Sequence, residues 1–210
     1  MHSLKYDLKV FLENSSEVNL EAFIPLFHRW IQEQHLPELL IDVADYRHVP
    51  QGPGVLLIAQ DAHYVMDLTD DRLGLLYSRR RETHASRRSI HSPEDRLVSV
   101  LQCALTACYH IETDPVWQGQ LAFRGNEWLL RVNDRLLAPN TTEAYNDLCQ
   151  SLEPLLATLY PESQVTIEHV HESTSPLTVL IKTTASPDVA TLLTRLEARA
   201  LYAATAESHV

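Results

Sequence analysis

Glycine is scarce in this chain, with five in 210 residues: Gly52, Gly54, Gly74, Gly119 and Gly125. Neither a Walker-type phosphate loop nor a dinucleotide-binding fingerprint can be built on those positions. No serine sits in a Gly-x-Ser-x-Gly elbow, so that form of nucleophilic catalysis is excluded. Cysteine is scarcer still. Cys103, Cys108 and Cys149 are odd in number and form no Cys-x-x-Cys pair, and two cysteines five apart on one helix cannot bridge. Reduced, buried thiols in a cytoplasmic protein are therefore expected. No apolar run reaches the roughly 18–20 residues that span a bilayer. The first residues, Met1 to Asp7, lack the apolar core of a signal peptide. These absences lead us to expect a soluble protein of a bacterial-type cytoplasm, with no membrane span.

What is present is a chain with enough apolar residues, 45%, to bury a proper core in one large domain or two small ones. The formal net charge of −11 disfavours nucleic acid as a partner, because the whole molecule repels phosphate. A local basic patch is still permitted.

Residues 6–12 alternate as a strand, with Tyr6, Leu8 and Val10 on one face and Lys5, Asp7 and Lys9 on the other. Asn19 is a candidate N-cap for a helix whose apolar stripe is Phe23, Phe27, Trp30 and Ile31. Strands are expected over 39–43 and 55–59, the latter apolar on both faces and hence a central strand covered on both sides or part of a tightly packed barrel-like interior. A hairpin over 63–68 and 73–78 turns at Thr69, Asp70 and Asp71. Ser92 and Pro93 open a helix buried through Leu97, Leu101, Ala104, Leu105 and Cys108. Gly125 and Asn126 predict a tight hairpin over 123–128. Asn140 with Glu143 resembles a capping box before a helix reaching Leu159. Strands near 165–170 and 179–183 follow, and Ser186 with Pro187 predicts a cap for a last helix on Val189, Leu192, Leu193, Leu196 and Ala200.

The two halves repeat the order strand, helix, strand, strand, helix. Pro37 to Val55 and Pro161 to Val179 have the same spacing. The expected fold is therefore α+β: two tandem β-α-β-β-type units, ferredoxin-like, with antiparallel sheets packed against helices. The units are 1–112 and 113–210, packed together as one compact protein, and their likeness suggests an internal duplication.

The strand directions gather Asp45, Tyr46, His48, Asp67, Asp70 and Asp71 at one end, and Asp61, His63 and the first arginines at the other. The carboxylates match no metal-binding spacing, and Asp70 with Asp71 suits an ordinary turn. His169 and His171 share a strand face but lack a third ligand, with Glu172 the nearest addition. No metal and no cofactor is expected. Arg79, Arg80, Arg81, Arg87 and Arg88 place five of the chain's 17 lysines and arginines within ten positions. Guanidinium groups bind phosphate and carboxylate bidentately, and exposed pairs contribute little to folding. These five are the candidate partner- or anion-binding residues.

The favoured function is a non-catalytic interaction protein, an assembly or regulatory factor. Its arginine-rich loop would engage an anionic surface or ligand, most simply a protein partner with an acidic surface. A homo-oligomer is compatible with this. The alternative is an enzyme acting on a small phosphorylated or carboxylated substrate. Asp45 and His48 would be its acid–base groups, beside the turn at Gly52, Pro53 and Gly54. A third reading, a nucleic-acid-associated protein, has the net charge against it.

Overall fold

The computed structural model describes residues 5–15, 18–50, 52–80, 93–117, 119–170 and 175–207. Among the described residues it is an α+β protein built on one antiparallel sheet of eight strands, with four α-helices. In chain order the elements are β1 (Tyr6–Leu12), α1 (Phe23–Glu33), β2 (Leu40–Tyr46), β3 (Gly54–Ala59), β4 (Ala62–Asp67), β5 (Gly74–Arg79) and α2 (Pro93–Thr113). These are followed by β6 (Phe123–Val132), α3 (Thr142–Leu159), β7 (Val165–His169), β8 (Leu177–Thr183) and α4 (Val189–Glu207). Across the sheet the strands run β2-β3-β4-β5-β1-β6-β8-β7. Antiparallel pairing of β1 with β6 therefore joins the first half of the chain to the second.

The tandem ferredoxin-like arrangement is not confirmed. A single sheet crosses both halves, and the hairpin of β4 and β5 lies between β3 and β1. In the second half β8 pairs directly with β6, so the counterpart of β8 beside β1 is β5.

The helices form one layer. Helix α2 packs on α3, α4, β1 and β5, and α1 lies over β2 and β3. Arg29 of α1 pairs with Asp114 just beyond α2, and His35 meets His110 on it. The alternation expected for β1 puts Tyr6, Leu8 and Val10 into the core under this layer. From α1, Phe23, Phe27 and Trp30 join the same core, which fits their helical spacing.

Several local expectations change. The stretch 55–59 is apolar on both faces, yet β3 lies second from the edge of the sheet and is not central. Its Val55 and Leu57 are fully buried beneath the helices, while Leu56 and Ile58 are half-buried on the other face. The expected hairpin at 123–128 is one continuous strand, and the register against β1 shifts there between Val10 and Leu12. Gly125 has no positive φ. It is required because an added Cβ would lie 1.8 Å from the Pro187 carbonyl oxygen. Asn19 caps a single 3-10 turn at Leu20–Ala22, accepting from Glu21 N at 3.0 Å, and α1 follows directly. Thr141, one residue after Asn140, caps α3 by accepting from Ala144 N. Asp188 caps α4, two residues after Ser186, by accepting from Thr191 N at 2.8 Å. In both cases a short polar side chain further along reaches the free N–H groups of the first turn, which is all the cap requires. Ser92 lies outside the described residues.

Leu57 has no solvent exposure and sits between sheet and helices. Leu57→Ala removes buried methyl groups and leaves a cavity, so it should cost about 2–5 kcal/mol in denaturant unfolding. An unchanged midpoint would place Leu57 outside the core.

Candidate functional site

No described helix packs on the second face of the sheet. Register places two rows of side chains across it. One is Leu56, Val65, Leu76, Lys9, Leu129 and Leu180, apolar except for the lysine. The other is Ile58, His63, Ser78, Asp7, Arg131 and Thr178, mostly polar. Both central charges are buried, because β1 runs between long neighbours. Lys9 and Asp7 are each 5% exposed.

Lys9 donates to Asp67 Oδ2 at 2.5 Å and to the Thr69 carbonyl at 3.1 Å. Burial pulls the Lys9 amine below its ordinary value, and the attraction of Asp67 opposes that. Arg72 lies over the Phe11 ring, 3.7 Å from its centre, and pairs with Glu127. Asp67, expected among the carboxylates at one end, is thus held by Lys9 and by the Thr69 hydroxyl. Among the described residues no group of three histidines, cysteines or carboxylates converges as a metal site.

Asp7 accepts from Ser78 Oγ at 2.7 Å and from Asn133 Nδ2 at 3.2 Å. Burial raises its carboxyl, while Ser78, Arg131 and Asn133 lower it. Beside this group, where β3 and β5 end, an open polar cleft of about 610 Å³ crosses the sheet. Ile41 and Ile58 border it on one side, Lys5 and Asn133 on the other, with His63 and Arg80 between them.

Of the five arginines singled out from sequence, Arg81, Arg87 and Arg88 lie outside the described residues. The other two diverge, as strand alternation requires. Arg80 is exposed, its backbone N–H on the Asp61 carbonyl and its Nη1 2.9 Å from His63 Nε2. The expected meeting of Asp61, His63 and the start of the arginine run is therefore observed. Burial and the Arg80 charge both hold the His63 ring below its ordinary value. A neutral His63 can accept from Arg80. Arg79 also borders the cleft, but its guanidinium turns to the helix side and donates to the Tyr77 hydroxyl, Ser99 Oγ and Cys103 Sγ. Glu38 accepts from both the Tyr64 and Tyr77 hydroxyls next to it. Burial pushes both tyrosines far up and Cys103 to about 12, so this thiol is a poor nucleophile.

Asp45 and His48 lie at the opposite end, on β2 and the turn that follows. Asp45 is exposed and chelated by Arg47 through Nε and Nη2, which holds its carboxyl down at about 2. His48 stacks on Tyr46, with ring centres 6.2 Å apart. His169 stacks on Tyr145 and lies 2.6 Å from Asn140 Oδ1, and His171 and Glu172 are outside the described residues. Sequence reasoning passed over Asp7 and Lys9. Their alternation with Tyr6, Leu8 and Val10 resembles a solvated face, and only the central position of β1 buries it.

Comparison with known protein families, with curated proteins and with solved structures returns no match. No described helix is long and apolar enough to cross a membrane.

Two measurements test this electrostatic arrangement. Lys9→Ala leaves Asp67 buried without its cation, so unfolding free energy should fall by about 3–5 kcal/mol. Pairing Lys9→Met with Asp67→Leu should restore most of it. A second readout is pH. Burial also lowers the His110 ring, beside His35. A histidine lowered in the fold contributes stability that is complete above the unfolded value, about 6.5, and is lost as pH falls through the folded one. Asp7 and Glu112, both raised mainly by burial, act with the opposite sign at lower pH. The fall in melting temperature from about pH 7.5 to about pH 5.5 should therefore be smaller in His110→Gln than in wild type.

Proposed function

We propose that this protein is a non-catalytic interaction protein, an assembly or regulatory factor. It engages an anionic partner surface or ligand, most simply an acidic protein surface, through the arginine-rich segment of Arg79, Arg80, Arg81, Arg87 and Arg88, in which Arg79 holds the strand end in place and the others meet the partner. The observation that carries the reading is the exposed guanidinium of Arg80, set beside a neutral His63 at a cleft that Lys5 also borders. Positive groups at an open cleft raise the local potential of an otherwise acidic molecule and favour anions there. Arg79 is the positioning residue of the set, fastening the end of β5 to α2 and directing the chain toward Arg80.

The enzyme reading on Asp45 and His48 draws no comparable support. A carboxyl held at about 2 by Arg47 exchanges protons poorly near neutral pH, and both residues are exposed, Asp45 near the end of β2 and His48 on the turn after it. We further read 1–112 and 113–210 as two related units in a ferredoxin-like manner. Each begins with a strand at the centre of the sheet, and each returns an antiparallel strand beside it before a closing helix.

Replacing Arg80, Arg81, Arg87 and Arg88 with Gln should change stability by less than about 1 kcal/mol if all four act as Arg80 does, whose exposed charge contributes little to folding. Arg79→Gln should cost more, about 1–3 kcal/mol, because it strips hydrogen bonds from a charged, half-buried group. In a pull-down at low and at high salt, the fourfold variant should capture less of the native partner. Wild-type capture should weaken with salt. Equal yield in all four conditions would remove the arginines as a binding site.

A further inference from the structure

The sheet has two edges, and they differ in chemistry. At one edge β7 is five residues long, exposes Thr166 and Glu168, and has Lys182 bonded to both oxygens of Glu168. Charge of that kind protects an edge from further pairing. At the other, β2 runs seven residues, with Leu39 just before it and Ile41 within it 57% and 54% exposed. Tyr46 and Val49 continue the exposed apolar series at its far end. One side of β2 pairs with β3, and no described strand takes the other. There the Val43 N–H donates to Asp42 Oδ1 of its own strand at 2.8 Å.

We propose that β2 is a docking edge for an extended, lysine- or arginine-bearing segment of a partner protein, which adds to the sheet as a ninth strand. The backbone supplies affinity through ladder hydrogen bonds, and the exposed side chains of β2 supply selectivity. Charge decides the occupant. Of the carboxylates here, Glu38 accepts from the Tyr64 and Tyr77 hydroxyls and Asp45 is chelated by Arg47, which leaves the exposed Asp42 as the carboxylate of β2 with no cation on it among the described residues. Two copies pairing antiparallel would bring two such strands together within an assembly already at −11 per chain, and like charges across a ladder are unfavourable. A basic strand meets Asp42 with attraction. Apolar residues of that strand cover Leu39 and Ile41, and its acceptors replace Asp42 at the Val43 N–H. The edge shares Ile41 with the arginine cleft, but its test reads backbone pairing at Val43 and charge at Asp42, so the two readings fail independently.

The experiment uses the full chain and two fluorescent seven-residue peptides, one alternating valine with lysine and one alternating valine with glutamate. The lysine peptide should bind wild type at least about tenfold more tightly than the glutamate peptide. Val43→Pro leaves the charge untouched and removes an N–H that is already taken by Asp42. It should weaken the lysine peptide by about tenfold or more, while the melting temperature shows that the fold persists. Asp42→Lys narrows the preference from the other direction, weakening the lysine peptide and strengthening the glutamate peptide, and decides the matter if the proline variant is unstable. The fourfold arginine variant should bind the lysine peptide as wild type does. Binding that ignores both Val43→Pro and Asp42→Lys is attraction to an acidic molecule and overturns the proposal. Absence of binding also overturns it. Concentration-dependent self-association in sedimentation, abolished by Val43→Pro, would assign the edge to a second copy and overturn it as well.

Discussion

The pairing of β1 with both β5 and β6 is the constraint on which the rest depends. A strand close to the N-terminus waits for β5, more than sixty positions later, and for β6, more than a hundred and ten later. All seven of its residues are buried. The helix layer sits over its apolar face, where α2 spans from β5 to β1 and meets α3 and α4 of the second half. Without the β1–β6 ladder the two halves would present two further edges, each exposing the unpaired backbone groups that sheets otherwise cover.

That same centrality explains the polar face. A lysine and an aspartate on a central strand are enclosed by their neighbours, so each needs a partner. Lys9 finds Asp67, and Asp7 finds Ser78, Asn133 and the charge of Arg131. Such groups contribute less to net stability than an apolar pair of the same shape. They do tie the register: Asp7 joins β1 to the ends of β5 and β6, and Lys9 reaches across β5 to β4.

The surface chemistry divides along the length and width of the sheet. Lys5, Arg80 and a neutral His63 gather at the cleft where β3 and β5 end. Asp42 and Asp45 lie on the outer strand, with exposed Ile41 beside them and exposed Leu39 just before it. A basic cleft and an acidic, apolar edge are suited to different parts of a partner, or to two partners. The two regions meet at Ile41, which belongs to the edge strand and also borders the cleft.

Local order was legible in the chain itself. The alternation of Tyr6, Leu8 and Val10, the stripe of Phe23, Phe27 and Trp30, and the acidic turn after 63–68 depend on neighbours a few residues away. The structure places strands and helices there. The meeting of Arg80 with Asp61 and His63 followed from strand directions alone. Tertiary structure decided what requires distant partners. It buried Asp7 and Lys9, moved the apolar β3 to second from the edge, and made 123–132 one strand whose Gly125 accommodates Pro187. It also sent Arg79 and Arg80 to opposite faces, one bonded to α2 and the other exposed at a cleft. Periodicity fixes which side chains share a face. Which face is covered, and which strand is left at the edge, depends on contacts far apart in sequence, where no short window carries the information.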